Sequence, residues 1–232
     1  VWVNIALLIA TVFSVLMVGL TIAVGHIAQT DPALADRIAL GGLNELWRGW
    51  PYAFSILLIL GSHEMAHYAM IRRHGIAGTL PYFIPAFMIS PFGTFGAAIM
   101  LRGPIRDRRA LFDLGASGPL AGLFFAVPIL IIGLATSSII TVSPGGYVEG
   151  NSILYAMSKL AVFGEMLPNG QHDVLVNQLA WAGWTGLFVT ALNLIPLGQL
   201  DGGHVLYALV GDWARKLYWP LMALGLLLML FV

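Results

Sequence analysis

Residues 57–71 read LLILGSHEMAHYAMI. They contain His63-Glu64-Met65-Ala66-His67, an H-E-x-x-H spacing set in one of the most apolar parts of the chain. On a helix, positions i and i+4 share a face, so His63 and His67 can grip one ion. Glu64, one position on, can reach a water beside that ion. Ionisable side chains held in hydrocarbon are costly and mark function by default. The sequence around the run decides whether it lies in a membrane and what completes the pair of histidines.

Of 232 residues, 59% are hydrophobic and only 9% are charged. Soluble domains carry about 25% charged residues, so this is the composition of an integral membrane protein. Eleven basic and eleven acidic residues leave no net charge to attract nucleic acid. There is no Cys, which excludes disulfides and thiolate metal sites; a metal must be held by His, Asp or Glu. The chain starts at Val1 and stops within an apolar run, and is expected to be a piece of a longer protein.

Apolar runs set the organisation. Residues 2–24 form a first span, long enough for about 30 Å of hydrocarbon; no basic residue precedes them, so a signal peptide is not expected. A polar connector, 26–49, leads to a second span, 52–71, which carries the H-E-x-x-H and ends at Arg72-Arg73-His74-Gly75. Residues 80–101 are apolar but contain Pro81, Pro85, Pro91, Gly93 and Gly96, with arginines at both ends. A re-entrant or surface-lying segment, extended around 93–100, is expected there. A third span covers 111–136 and its small residues favour close helix contact. Residues 137–178 form a mixed connector whose 153–163 stretch is amphipathic enough for a membrane interface. The fourth span, 179–197, ends in Asn193-Leu194-Ile195-Pro196-Leu197-Gly198-Gln199-Leu200-Asp201-Gly202-Gly203 and should unwind there; 204–211 begin a fifth helix and 217–232 a last, cut-off span. The expected fold is an all-α polytopic membrane protein of about six transmembrane helices, with a small membrane-associated β element between the second and third. Residues 1–232 form one domain with its core at 52–207.

Lys and Arg orient it. Eight of the eleven gather on one side (Arg72, Arg73, Arg102, Arg106, Arg108, Arg109, Arg215 and Lys216), against Arg37, Arg48 and Lys159 on the other. That bias puts His67 about 6 Å of helix rise from the cytoplasmic end of its span. It returns Asp201 to the same depth. Two histidines under-coordinate a catalytic zinc, which takes three protein ligands and keeps one open position, and Asp201 arrives where the third is needed. Glu64 is then placed to take a proton from water and pass it to a leaving amine. Asn193 can hydrogen-bond substrate or a developing oxyanion, or simply tie helices together. Asp201 also has a plain reading as the cap of a D-G-G turn.

H-E-x-x-H in an early span followed by N-x-x-P-x-x-x-x-D-G (Asn193, Pro196, Asp201, Gly202) in a later one resembles the site-2 protease family of intramembrane zinc metalloproteases. Gly118-Pro119-Leu120-Ala121-Gly122 is similar to that family's third motif, although Gly122 stands where many members have Asn. The resemblance covers residues 52–207, most weakly 137–178, and is to the type without a PDZ domain. It implies that His63, His67 and Asp201 bind one catalytic zinc and that Glu64 is catalytic. It implies a substrate that is a membrane-anchored regulatory protein cut within its span, and that 80–102 match the family's β-structure near the active site. A metal transporter built on the same His and Asp residues, or a non-catalytic relative that binds transmembrane helices, are the competing functions. Gly115, Gly118 and Gly122 are expected to serve packing, His204 to support the site without binding the ion, and His26, His74 and His172 to lie at the surface. Trp181 and Trp184 are expected to anchor the outer end of the fourth span, and Arg102–Arg109 to set topology or meet anionic lipid. A bacterial or archaeal plasma membrane is the expected location, with a plastid membrane as the alternative and the site near the cytoplasmic face. Nothing in the sequence sets the oligomeric state.

Overall fold

A computed structural model describes residues 2–87, 89–103, 105, 107–141 and 149–229. Among these, three stretches are long and apolar enough to cross a bilayer. The first is α1 (Trp2–Ala28). The second includes α2 (Pro32–Gly41), a 3-10 turn (Gly42–Gly49) and α3 (Trp50–Arg73). The third is α4 (Arg108–Ala135). The expected polar connector at 26–49 is therefore largely helical: Asp31 caps α2 by accepting from the Leu34 N–H, and Pro32 suits its first turn.

α3 and α4 run antiparallel, with α6 (Gln178–Asn193) packed against both. Two apolar clusters hold this bundle. One joins Ile59 of α3 to Ala126, Leu130 and Leu134 of α4 and to Ala180 and Leu187 of α6. The other joins Val15 of α1 to Tyr52, Ile56 and Leu60 of α3 and Ala182 of α6. Between α4 and α6 the contact is made by small residues, as membrane helices require when no hydrophobic effect drives them together. A Cβ on Gly183 would lie 2.6 Å from the Cα of Leu130, and one on Gly133 would overlap the backbone of Ala180. Gly183→Val is expected to force these helices apart and lower the unfolding midpoint in detergent by a margin typical of overpacking, about 1–3 kcal/mol. An unchanged thermal melt would contradict this crossing.

The Pro- and Gly-broken run after α3, expected to be extended around 93–100, forms a two-stranded β-hairpin. β1 (Tyr82–Pro85) pairs antiparallel with β2 (Thr94–Ala98) through Tyr82↔Ala98, Phe83↔Ala97 and Pro85↔Thr94, with an irregularity between Phe83 and Pro85. A bridge between Gly78 and Leu101 closes its base. At that base, Asn4 of α1 donates to the Leu80 and Pro81 carbonyls. At its tip, the Phe92 carbonyl accepts from the Tyr52 hydroxyl at 3.0 Å. Gly93 (φ +76°) lies where a Cβ would meet the Ser14 carbonyl and Val15 at 3.0 Å. The hairpin thus runs beside α1 for about ten residues, roughly 15 Å.

The connector after α4 holds more structure than its sequence suggested. β3 (Ser138–Thr141) pairs antiparallel with β4 (His172–Leu175), and α5 (Ile153–Phe163) lies between them in sequence. α6 stops at Asn193, short of the expected 197. The turns containing Pro196 and Gly198 (φ +58°) follow, and α7 (Asp201–Val210) starts at Asp201 itself, three residues before the expected 204. α8 (Trp213–Met229) comes last. At 16 residues, α6 is about 24 Å long, so helix length alone accounts for three crossings and not six. Trp184 is fixed more tightly than an interfacial anchor would be: its indole donates to the Gly150 carbonyl at 2.9 Å and stacks between Trp181 and Phe188. His74, expected at the surface, bonds Asp113 at 2.9 Å and ties the end of α3 to α4.

Candidate metal centre

The helix predicted from H-E-x-x-H places His63 and His67 one turn apart on the buried side of α3. Their Nε2 atoms are 3.0 Å apart. Asp201, first residue of α7, brings one carboxylate oxygen to 3.2 Å from His63 Nε2 and the other to 3.3 Å from His67 Nε2. Asp201 thus converges with two histidines that lie far before it in sequence, as the topology argument required.

Two features of the donors fit a metal ion. Nδ1 of His67 lies 2.8 Å from the Leu114 carbonyl, which can only accept, so Nδ1 carries the hydrogen. In the neutral ring Nε2 then presents a lone pair to the cluster. Lone pairs of two imidazoles and a carboxylate facing one another repel unless a cation or protons lie between them. The spacing fits as well: ligands about 2.0–2.1 Å from a tetrahedral zinc lie about 3.3 Å from one another. The observed contacts of 3.0, 3.2 and 3.3 Å are of that size, each carboxylate oxygen meeting one imidazole, and one donor atom from each residue lies within 4.8 Å of the other two.

The cluster opens on a cavity of about 310 Å³. Glu64 lines it, is buried, and bonds no other side chain among the described residues. Asn193, the last residue of α6, also lines it, with its amide nitrogen 3.4 Å from His63 Nε2. The opposite wall is Ala97 and Ala98 of β2 together with Ile99. Gln199 and His204 complete the polar lining. All five residues singled out from sequence (His63, Glu64, His67, Asn193 and Asp201) therefore meet in one place.

Sequence reasoning did not assign the floor of the site to particular residues. Gly115, Gly118 and Gly122 form one stripe of α4, at i, i+3 and i+7. A Cβ on Gly118 would overlap the His67 imidazole. One on Gly122 would stand 3.5 Å from His63 Nδ1, and one on Gly115 would lie 2.8 Å from the Asp201 carbonyl. Each glycine seats one metal-cluster residue, which sharpens the packing role expected of them. Their spacing on a helix antiparallel to α3 was the available signal. The Leu114 carbonyl that orients His67 is backbone and leaves no sequence signal.

Comparison with known proteins agrees with this geometry. The pattern of peptidase family M50 matches residues 51–231. The chain belongs to peptidase family M50. Among curated proteins, this M50 chain is similar to the probable zinc metalloprotease EGY2, chloroplastic, of Oryza sativa subsp. indica, 32% identical over 192 residues, covering 80% of this chain and 34% of that protein. The protein of the same name from Arabidopsis thaliana is 33% identical over 189 residues, covering 80% of this chain and 33% of that protein. The probable zinc metalloprotease EGY1, chloroplastic, of Arabidopsis thaliana is 31% identical over 168 residues, covering 69% of this chain and 30% of that protein. The chain spans about a third of the length of these relatives. No solved structure matches it. The chloroplastic plant relatives overturn the expected bacterial or archaeal plasma membrane. That expectation is a default with no residue behind it: the basic-residue bias reports which side of a membrane a loop occupies, and carries nothing about which membrane it is.

Proposed function

We propose that this chain is the catalytic unit of a zinc-dependent intramembrane endopeptidase, which cuts a transmembrane segment of a membrane-anchored regulatory protein. The observation that carries this reading is the convergence of His63, His67 and Asp201 donor atoms, all within 4.8 Å of one another, beside the buried Glu64 and within a bundle of apolar helices. The names of the plant relatives, probable zinc metalloproteases, support it.

In this reading His63, His67 and Asp201 hold one zinc ion. Zinc supplies Lewis acidity there, polarising a peptide carbonyl and making water more acidic. Glu64 takes the proton of the attacking water and delivers it to the leaving nitrogen. The Asn193 amide hydrogen-bonds the substrate backbone or the oxyanion. The stripe Gly115–Gly118–Gly122 and the Leu114 carbonyl hold the two imidazoles in orientation. A transmembrane helix hides its scissile carbonyls in its own hydrogen bonds, so it must unwind first. The Ala97–Ile99 wall receives the unwound stretch as an added strand.

Residues 1–232 act as one transmembrane domain with its catalytic core at 52–207, in which α6 and α8 cross the bilayer beside α1, α3 and α4. The cavity sits toward the arginine-rich face of a plastid membrane, where water reaches it.

Purified chain in liposomes should cleave a peptide bearing a single transmembrane segment, with the cut mapped by mass spectrometry inside that segment. Chelation should stop cleavage and zinc should restore it. Zinc flux without cleavage would overturn the proposal in favour of a transporter; chelator-resistant cleavage would overturn the metal's role.

The β2 wall gives a separate prediction. Proline at Ala97 or Ile99 removes a backbone N–H that an added strand would use. Loss of one such bond is worth about 1 kcal/mol, so cleavage should fall about fivefold with zinc content intact. Cleavage at the wild-type rate by both variants would sink strand addition. Thr94 is a poor probe, because its buried hydroxyl bonds the Ile84 carbonyl and holds the hairpin itself.

A further inference from the structure

Helix α5 is built inside out. Ile153 (83% exposed) and Met157 (61% exposed) point away from the protein, with Leu154 and Leu160 beside them. The opposite side carries Tyr155, Ser158 and Lys159, all buried. Lys159 is completely enclosed. Its Nζ lies 3.2 Å from Asp173 Oδ1 on β4 and 3.6 Å from Glu149 Oε1, and 4.4 Å from the centre of the Tyr155 ring. The Tyr155 hydroxyl donates to the same Glu149 oxygen at 2.6 Å.

A lysine at a protein surface normally carries its ammonium into water and lays its stem on apolar surface. Here the helix does the reverse. Against water, an enclosed ammonium and an exposed Ile-Met-Leu face are both unfavourable. Against acyl chains both are favourable, because charge is expensive there and apolar side chains are not.

The position of α5 agrees. Tyr155 packs into the same cluster as Leu130 and Leu134, in the last turns of α4. At that level Ile131 and Ile132 of the spanning helix face outward, and Ile139 and Ile140 of β3 are exposed just beyond. Leu134 is sixteen residues, about 24 Å, along α4 from Gly118 under the metal cluster.

We propose that α5 is immersed in the bilayer at the end of the bundle opposite the metal cluster, with its Ile153–Met157–Leu160 face against acyl chains. The Lys159–Asp173–Glu149 cluster is the internal clamp that makes this possible: it satisfies inside the protein the charges that the connector cannot present to lipid. It follows that Lys159 contributes nothing to the charge on the outer aqueous face, and the basic bias between the two sides is steeper than the sequence suggests.

The chain has no native cysteine, so single labels are unambiguous. Met157→Cys, Ile153→Cys and, as an exposed reference beyond the end of the helix, Glu165→Cys would each carry a nitroxide in phosphatidylcholine–phosphatidylglycerol liposomes, with zinc content checked as a sign of intact fold. At 153 and 157, the ratio of collisions with oxygen to collisions with a water-soluble nickel chelate should be several-fold higher than at 165. Nickel access at 157 equal to that at 165 would overturn the proposal by placing the face in water. Protection of 157 from both reagents would overturn it in favour of a covering protein, whether a second copy or another chain. Two labelled positions on the same face keep the test decisive if one substitution disturbs folding.

Discussion

Glu64→Gln is expected to remove nearly all peptidase activity while leaving the metal in place. The substitution keeps size and hydrogen-bonding reach and deletes only the capacity to accept a proton. Glu64 lines the cavity beside the donor triangle but is not one of its three donors, so zinc content should stay at the wild-type level. Positioned acid–base groups contribute about 10²–10⁴-fold, and kcat should fall by that factor with KM little changed. Asp201→Ala should behave in the opposite sense: it removes one of three donors, so zinc is lost first and activity with it. Metal analysis of the two purified proteins separates the roles. A Glu64→Gln enzyme that turns over at the wild-type rate would rule out the proton transfer assigned here, and an Asp201→Ala protein that retains full zinc would remove Asp201 from the site.

Much of this was legible because membrane chemistry leaves strong traces in sequence. His63, Glu64 and His67 stand out in an apolar span since hydrocarbon tolerates ionisable groups only for a reason. Asp201 could be brought back to them by reading apolar runs as spans and the arginine bias as their direction, which predicts that 201 returns to the level of 63 and 67. An extended segment after α3 was legible from Pro81, Pro85 and Pro91 followed by Gly93 and Gly96, with arginines at both ends of the run. What stayed hidden has a common physical character. The β3–β4 pair and the Lys159 cluster depend on partners 10 to more than 30 residues apart, within a connector where hydropathy gives no period to read. Lys159 was counted as a surface charge because composition reports that a charge is present, whereas burial depends on Asp173 and Glu149 arriving around it. The start of α7 was placed late because Asp201-Gly202-Gly203 has the composition of a turn. The structure instead uses both glycines for contact, Gly202 against the Leu194 carbonyl and Gly203 against the Gly198 carbonyl.

The glycine stripe on α4 gives the most discriminating test of the site's architecture, since two adjacent members of it should respond in opposite ways. At Gly118 an added Cβ would occupy the space of the His67 ring, meeting Nε2, Cε1 and Cδ2. The conflict has two remedies. The ring can rotate, which breaks its bond from Nδ1 to the Leu114 carbonyl and turns Nε2 away from Asp201. Alternatively, α4 can retreat from α3, which opens the Ile59–Ala126–Leu130 cluster. Either one spoils the donor triangle. Losing an orienting partner of a metal-bound histidine costs roughly 10–100-fold in metal affinity, and Gly118→Ala should lose at least that, with activity falling in step. The helix itself should not suffer, because alanine is the better helix former by about 1 kcal/mol. At Gly122 the same methyl group would find His63 Nδ1 and the Thr190 hydroxyl at 3.5 Å, an ordinary contact, so Gly122→Ala should bind zinc and cleave substrate at close to the wild-type level. Zinc titration and turnover of the two variants, with helicity by circular dichroism as the control for folding, decide the matter. Equal behaviour at 118 and 122 would mean that α4 does not seat the imidazoles in this register. A Gly118→Ala protein that is folded, zinc-poor and inactive beside a normal Gly122→Ala protein is the result that the close approach of α4 to His67 requires.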